Sequence, residues 1–194
     1  MTDLSMDTEE KDRYYVIQVA PRAEANTEAL IRARLDARLY SRCFHPLRHV
    51  RKKFRGQWQD IHEKLLPGYV FLTAPSAPEL YEGLRQVPAL TKLLGRNEGN
   101  LFVSLLPEEI QWLEKVTAGG DEVRISLVTV SEGDVVTVVD GPLKDLEGHV
   151  KKIHLHRRIA EVEVNFMGRK TVIHLGIELV GKTGENVSVV GSLL

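Results

Sequence analysis

Between Gly148 and Arg158 the sequence carries Lys151, Lys152, Arg157 and Arg158, with His149, His154 and His156 among them and no acidic residue. Arginine makes bidentate contacts to phosphate or guanine, lysine supplies a point charge, and histidine stacks on a base or donates a hydrogen bond. That mixture suits a nucleic-acid backbone, although a solvated hairpin would carry the same residues. A second basic stretch, "RCFHPLRHVRKKFRGQW", holds Arg42, Arg48, Arg51, Lys52, Lys53 and Arg55 with no acid from Ser41 to Gln59. Phe54 and Trp58 interleave it, and cations mixed with aromatic rings are what single-strand binders use. A mobile hairpin kept soluble by its charges is the plainer alternative. Neutralising four or five phosphates would set a log-log salt slope of about −3 to −4.5, ample for affinity and silent about sequence.

Catalytic chemistry has no comparable grouping. His149, His154, His156 and His174 stand without a Glu-x-x-His pattern or a cysteine pair, so no metal site is read from them. The segment "TGENVSVVGS" lacks a phosphate-loop lysine, and the carboxylates read as solvated or capping groups. The expectation is a protein that is not an enzyme and needs no cofactor. Net charge is −1, which hides local patches of both signs. Cys43 is the single cysteine, so an internal disulfide is excluded and a reducing, cytoplasmic compartment is expected. The acidic N-terminus has no apolar signal region, and no run of apolar residues is long enough to span a membrane.

These residues need elements to position them. At 194 residues and 43% apolar, the chain can bury one domain and a small module. Residues 1–12 offer little to bury and are expected to form a disordered leader. Tyr14 to Val19 read as a strand stopped by Ala20-Pro21. In "NTEALIRARLDARLYS" the four-residue spacing of Ile31, Leu35 and Leu39 predicts an amphipathic helix capped by Asn26 or Thr27. Two strand-like arms surround Gly56, and an apolar strand runs from Gly68 to Leu72. Ser76 and Glu79 have the spacing of a capping box before a short helix bearing Leu80 and Leu84. Pro107, Glu108 and Glu109 open a third helix carrying Ile110, Leu113 and Val116. An α+β domain is therefore expected over 13–118, an antiparallel sheet with flanking helices. Gly119 to Glu122 mark a joint, within a linker assigned to 119–130. Beyond it, alternation at Val135–Val139, His149–Leu155, Ala160–Phe166 and Thr171–Leu175 predicts a small β-barrel over 131–182, with a tail to 194.

The turn "DGPLKDLEG" has its own logic. Gly141 can take positive φ, Pro142 fixes φ at the next position, Gly148 permits a bulge or close backbone approach, and Leu143 and Leu146 would fold inward as plugs. An ordinary β-turn accounts for these residues as well. "EGDVVTVVDGPLKDLEGHVKKI" resembles a KOW motif. "VIQVAPRAE", "LPGYVFL" and "QVPALTKLLG" resemble the NGN domain that precedes it in NusG-type transcription elongation factors. The resemblance covers roughly residues 14 to 181 with the motifs in the family's order. Where NusG usually carries Phe after Gly-Pro, this chain has Leu143, and the barrel segment through "NFMGRKTVIHLGIELV" is similar to the LoaP-type antiterminator paralogs.

That resemblance implies a KOW-type five-stranded barrel presenting Lys144, His149, Lys151, Lys152, His154, His156, Arg157 and Arg158 to a hairpin in nascent leader RNA. Leu66, Tyr69 and Phe71 match positions that grip the clamp helices of the largest RNA polymerase subunit, while the apolar run around them reads equally as a buried strand. The hairpin with Arg51, Lys52, Lys53, Arg55 and Trp58 corresponds to one lying near upstream DNA. The His-Thr-Thr signature for the polymerase gate loop is missing around Tyr81 to Gly83, and Gln18 stands where some relatives have Tyr. The implied partners are RNA polymerase, a nascent RNA hairpin and upstream DNA, with no membrane and a monomeric chain. Two other readings stay open: a general NusG whose barrel holds a termination factor or ribosomal protein, and a ribosome-associated KOW module that clamps structural RNA. Some relatives refold their barrel into helices, but the period-two alternation at Ala160, Val162, Val164 and Phe166 predicts that this one stays β.

Overall fold

The computed structural model describes residues 12–20, 22–87, 103–131 and 135–180. The first half runs β1 (Arg13–Gln18), α1 (Glu24–Arg34), β2 (Arg42–Phe44), β3 (Leu47–Phe54), β4 (Gln57–Lys64), β5 (Tyr69–Ala74), α2 (Ala77–Arg85) and β6 (Val103–Ser104). The second half runs α3 (Pro107–Thr117), β7 (Glu122–Val123), β8 (Ser126–Val130), β9 (Val136–Asp140), β10 (Val150–His154), β11 (Ile159–Phe166) and β12 (Arg169–Leu179). Residues 1–11 of the expected leader, most of "QVPALTKLLG" and the tail past Val180 lie outside the described residues. Contacts divide the chain into two compact units, Met1–Phe44 with Gly68–Leu105, and His45–Pro67 with Leu106–Leu194.

In the first unit the aromatic and β-branched run at Tyr14 becomes β1, antiparallel to β5 from Arg13↔Ala74 to Gln18↔Tyr69. The sheet order is β2-β5-β1-β6. Alternation sends Tyr15, Ile17, Val70, Leu72 and Ala74 into one core with Ile31 of α1 and Leu80 and Leu84 of α2. Each such aliphatic side chain contributes about 1.5–3 kcal/mol when fully buried. The first helix differs from its expected limits. It starts at Glu24 with Ala23 as an uncapped N-cap, so Asn26 and Thr27 lie inside it, and it ends where Leu35 turns extended. The Asp36 carboxylate accepts the Arg38 N–H at 3.0 Å, and Leu39 goes into a 3-10 turn. A short acidic side chain bonding its own backbone competes with helix continuation. Buried Glu24 accepts the Gly68 N–H at 2.7 Å, tying the first turn of α1 to the start of β5. Ser76 is the N-cap of α2 as expected, but its side chain makes no capping bond, and Pro78 stands in the first turn of the helix.

In the second unit β3 and β4 form a hairpin joined by Arg55-Gly56, with φ of 50° and 87°. Positive φ at both central residues is the turn whose twist matches antiparallel strands. β7 adds in parallel to β3, giving the order β4-β3-β7. The barrel strands run β10-β11-β12-β8-β9, all neighbours antiparallel except β12 with β8. Ala160, Val162, Val164 and Phe166 are buried along β11, as their alternation requires, and Leu143 and Leu146 plug the barrel from a 3-10 segment, Pro142–His149. Gly141 has φ 103°, and a Cβ there would stand 2.5 Å from Ser126 Cα, so glycine is required. At Gly148, in contrast, a Cβ would meet open space, so no close approach occurs there. On β12, a Cβ at Gly176 would stand 2.2 Å from the His49 carbonyl oxygen, which lets the β3 backbone pack directly on the barrel. Buried Glu109 of α3 accepts the Leu106 N–H at 2.9 Å and the Gly168 N–H at 3.0 Å, joining the helix start to the β11–β12 turn.

Among the described residues the architecture is α+β, with an antiparallel sheet and helices preceding a five-stranded β-barrel, as expected from the pattern of elements. No described helix is long and apolar enough to cross a membrane.

Candidate nucleic-acid interface

Close packing of β12 on β3 has a chemical result: the two basic stretches of the sequence meet. A cleft of about 470 Å³ lies between hairpin and barrel. Arg51, Lys52, Lys53 and Trp58 line it from the hairpin, and His156 and Arg157 from the turn between β10 and β11. That turn is a 3-10 segment, Leu155–Arg157, ended by Arg158 with φ 55°. Reversal there aims the Arg158 guanidinium back at the hairpin, 5.2 Å from the centroid of the Trp58 ring. A cation over an aromatic face at this distance is attractive.

Much of the charge is internally balanced. Arg51 Nε lies 2.9 Å from Asp60 Oδ1 and 3.0 Å from Glu178 Oε2, and Arg158 Nη1 lies 3.3 Å from Glu178 Oε1. Glu178 is nine-tenths buried, so a guanidinium on each side compensates the cost of desolvating its carboxylate. Arg48 donates to the His174 carbonyl at 2.6 Å and to Glu63 at 2.9 Å, and Lys52 also pairs with Glu63. Burial opposes ionisation of Glu63, but the Lys52 and Arg48 bonds win and hold its carboxyl below the ordinary range.

Farther along the barrel, Lys151 and Lys170 share Glu163 at 3.3 Å and 3.0 Å. His154 bonds Glu161 at 2.8 Å, with His174 at 3.8 Å from the same oxygen. These contacts lower both glutamate pKa values, Glu161 chiefly through His154 and Glu163 chiefly through Lys170. Burial, then the nearby Arg48 charge, pushes the His174 imidazole toward its neutral form. Lys53, Lys152 and Arg157 make no ion pair among the described residues, and Arg55 lies over the Phe54 ring at 5.5 Å. Lys144 is exposed on the 3-10 segment, and His149 lines a separate cleft of about 190 Å³ with Trp112, Lys115 and Asp145.

The eight barrel residues singled out from sequence are thus divided. His156, Arg157 and Arg158 gather with the hairpin, while Lys144, His149, Lys151, Lys152 and His154 do not line that cleft. Arg48, Glu63 and His174 also line the cleft and Glu178 pairs with Arg51 and Arg158; the sequence offers Arg48 within its second basic stretch and His174 only among histidines weighed for a metal, and does not point to either glutamate. Arg48 sat within the basic run and was legible, whereas Glu178 is apolar strand pattern on either side and gave no signal. On β5, Phe71 is fully buried and stacks on Phe44 with centroids 5.5 Å apart, while Tyr69 is half-buried; Leu66 is buried in the other unit. One group among the described residues could hold a metal ion, His49, His62 and Glu122, and it contains none of the four histidines weighed from sequence.

A family model described as "Transcription termination factor nusG" matches residues 12–114, and one described as "KOW motif" matches residues 132–165. The chain is 30% identical over 169 residues to the transcription termination/antitermination protein NusG of Thermus thermophilus, covering 83% of this chain and 91% of that one. To the protein of the same name from Rickettsia bellii it is 25% identical over 183 residues, covering 92% and 94%. Among solved structures it is similar to one described as "Domain interaction in Thermotoga maritima NusG", with TM-score 0.52, 23% identity, and coverage of 86% of this chain and 94% of that one.

Proposed function

The chain belongs to the NusG family of transcription termination/antitermination factors, and from that premise we propose that it is an operon-specific antiterminator of the LoaP type. In this reading residues 13–118 dock on the clamp helices of RNA polymerase through Leu66, Tyr69 and Phe71, 119–130 is the joint, and residues 131–182 hold a hairpin of nascent leader RNA. The spans matched by the two family models, 12–114 and 132–165, support that division. Clamp binding favours the closed polymerase over its paused or termination-prone form, which requires tighter binding to the closed conformer. Barrel-bound RNA raises the local concentration of the docking domain at its site, so action is confined to transcripts that carry the hairpin. The chain does this in the cytoplasm, as a monomer, without catalysis or cofactor.

The observation that carries the reading is the cleft in which Arg51, Lys52, Lys53 and Trp58 face His156 and Arg157. It combines cations for phosphate, of which Lys53 and Arg157 make no ion pair among the described residues, with a ring on which a splayed base can stack. Docking through Phe71 requires a conformation in which its ring is uncovered, since it is fully buried here. An electrophoretic shift with the leader RNA of the chain's own operon tests the proposal: selective retention over a scrambled hairpin is expected, and loss of selectivity overturns it.

A second reading has its own observation. Lys151, His154 and Arg158 are each matched by an internal glutamate, which lowers the net charge the barrel offers to RNA. A general NusG, whose barrel holds a protein partner, needs no more than this. Retention of a termination factor or a ribosomal protein by the chain, with no RNA selectivity, would favour that reading.

A further inference from the structure

The hairpin turn at Arg55-Gly56 sets the register so that His49 and His62 face each other directly across β3 and β4. Residues opposite one another on an antiparallel pair have Cβ atoms about 4.5–5.5 Å apart and share one face of the sheet. Their imidazole centroids are 3.9 Å apart, tilted by 41°. On the other side of β3, the parallel pairing of Leu47 with Glu122 brings in the carboxylate from β7. Glu122 Oε2 lies 2.8 Å from His49 Nε2, and its Oε1 lies 3.5 Å from His62 Nδ1. One ring nitrogen from each histidine and one carboxylate oxygen all lie within 4.8 Å of each other.

We propose that His49, His62 and Glu122 form a binding site for a divalent transition metal of the zinc class, which clips the three strands β4, β3 and β7 together. Two imidazoles and one carboxylate are a donor set that zinc accepts, with the fourth tetrahedral position left for water. Bonds of about 2.0–2.1 Å place tetrahedral ligand atoms about 3.4 Å apart, so small rotations of side chains already in contact close the site. Imidazole donors select against magnesium and calcium, which take oxygen. Side-chain exposures of 29% for His49, 46% for His62 and 49% for Glu122 leave a path for the ion from solvent. The sheet brings the three donors together only when folded, because Glu122 lies 73 residues from His49. Binding therefore favours the native state. Glu122 lies two residues after Gly120, so the ion fixes the chain between α3 and the barrel just past its glycine pair.

The test uses the untagged full chain and Zn²⁺ alone, with calorimetric titration, and Co²⁺ absorption as a second probe of the donor set. One equivalent of zinc is expected, and zinc at a hundredfold excess over its dissociation constant should raise Tm by roughly 5–10 °C. His49→Ala, His62→Gln and Glu122→Gln should each weaken zinc binding at least about tenfold. His62 is the most exposed of the two histidines, so His62→Gln keeps the test meaningful if His49→Ala fails to fold. His154→Ala, at the other histidine-glutamate pair, should leave the affinity unchanged. No zinc binding overturns the proposal, as does binding that survives the double change of His49 and His62 or that is lost with His154.

Discussion

The Arg158 guanidinium stands 5.2 Å from the centroid of the Trp58 ring, and this contact joins the barrel turn to the tip half of the hairpin. Trp58 remains 37% exposed, so the ring has a face covered by a cation and further surface open to a base. Trp58→Ala should weaken retention of the leader RNA by roughly 5- to 150-fold, the worth of about 1–3 kcal/mol for one stacked base. Trp58→Phe should retain most of the affinity. An electrophoretic shift series measures both, and equal affinity of Trp58→Ala and the parent would remove the ring from the interface.

Charge reversal should not be equivalent along the barrel. Arg157 faces the cleft without an ion-pair partner among the described residues, whereas Lys151 is already matched by Glu163. Arg157→Glu should reduce the magnitude of the log-log salt slope of RNA binding by about 1, and Lys151→Glu by clearly less. Slopes from binding titrations at several salt concentrations decide it; equal losses would mean that Glu163 releases Lys151 on binding.

Gly141 and Gly148 bracket the same turn but carry different constraints. With φ at 103° and a Cβ position 2.5 Å from Ser126 Cα, Gly141→Ala should destabilise the fold by more than about 2 kcal/mol. At Gly148 an added Cβ meets nothing, so Gly148→Ala should be neutral within about 0.5 kcal/mol. Urea denaturation of the two variants measures the difference, and similar midpoints would contradict the turn geometry.

Glu109 is buried and accepts two backbone N–H groups, one from its own helix start and one from Gly168. Glu109→Ala leaves both donors without their acceptor and should cost roughly 2–4 kcal/mol, while Glu109→Gln, which keeps one acceptor oxygen, should cost less. A Glu109→Ala midpoint within error of the parent would show that water replaces the carboxylate at no cost.

Glu161 and Glu163 are held below the ordinary glutamate value of 4.5, by the His154 hydrogen bond and by the Lys170 and Lys151 bonds respectively. A carboxyl with a depressed folded-state pKa binds fewer protons folded than unfolded. Its contribution is therefore complete above about pH 4.5 and is lost as pH falls through the lowered value. Thermal melts in this acid range should show Tm declining, with a shallower decline in the Glu161→Gln, Glu163→Gln double variant. An identical acid limb in that variant would show that other groups govern it.

Much of the local structure was readable because it is periodic. The alternation from Ala160 to Phe166 identified β11 with its buried face, and Leu143 and Leu146 were recognisable as plugs between a glycine-proline turn and a strand. Helix limits were less so. Leu39 keeps the four-residue spacing of Ile31 and Leu35, but the Asp36 side chain diverts the backbone into a 3-10 turn, a local competition that hydrophobic spacing does not record.

The cross-strand pair His49 and His62 followed from the sequence in principle, since a two-residue turn at Arg55-Gly56 dictates who faces whom along the hairpin. Family, element types and the two basic stretches were likewise determined by the order of residues alone, because composition, period and turn chemistry act over a few neighbours. Which charges remain available was decided only by tertiary structure. Arg48 reaches the carbonyl of His174, 126 residues away, and Glu161, Glu163 and Glu178 neutralise some cations while leaving Arg157 open. A charge takes its partner from strand register and from the approach of β12 to β3; a tight turn sets the first only within its own hairpin, and the second lies outside the reach of any local pattern.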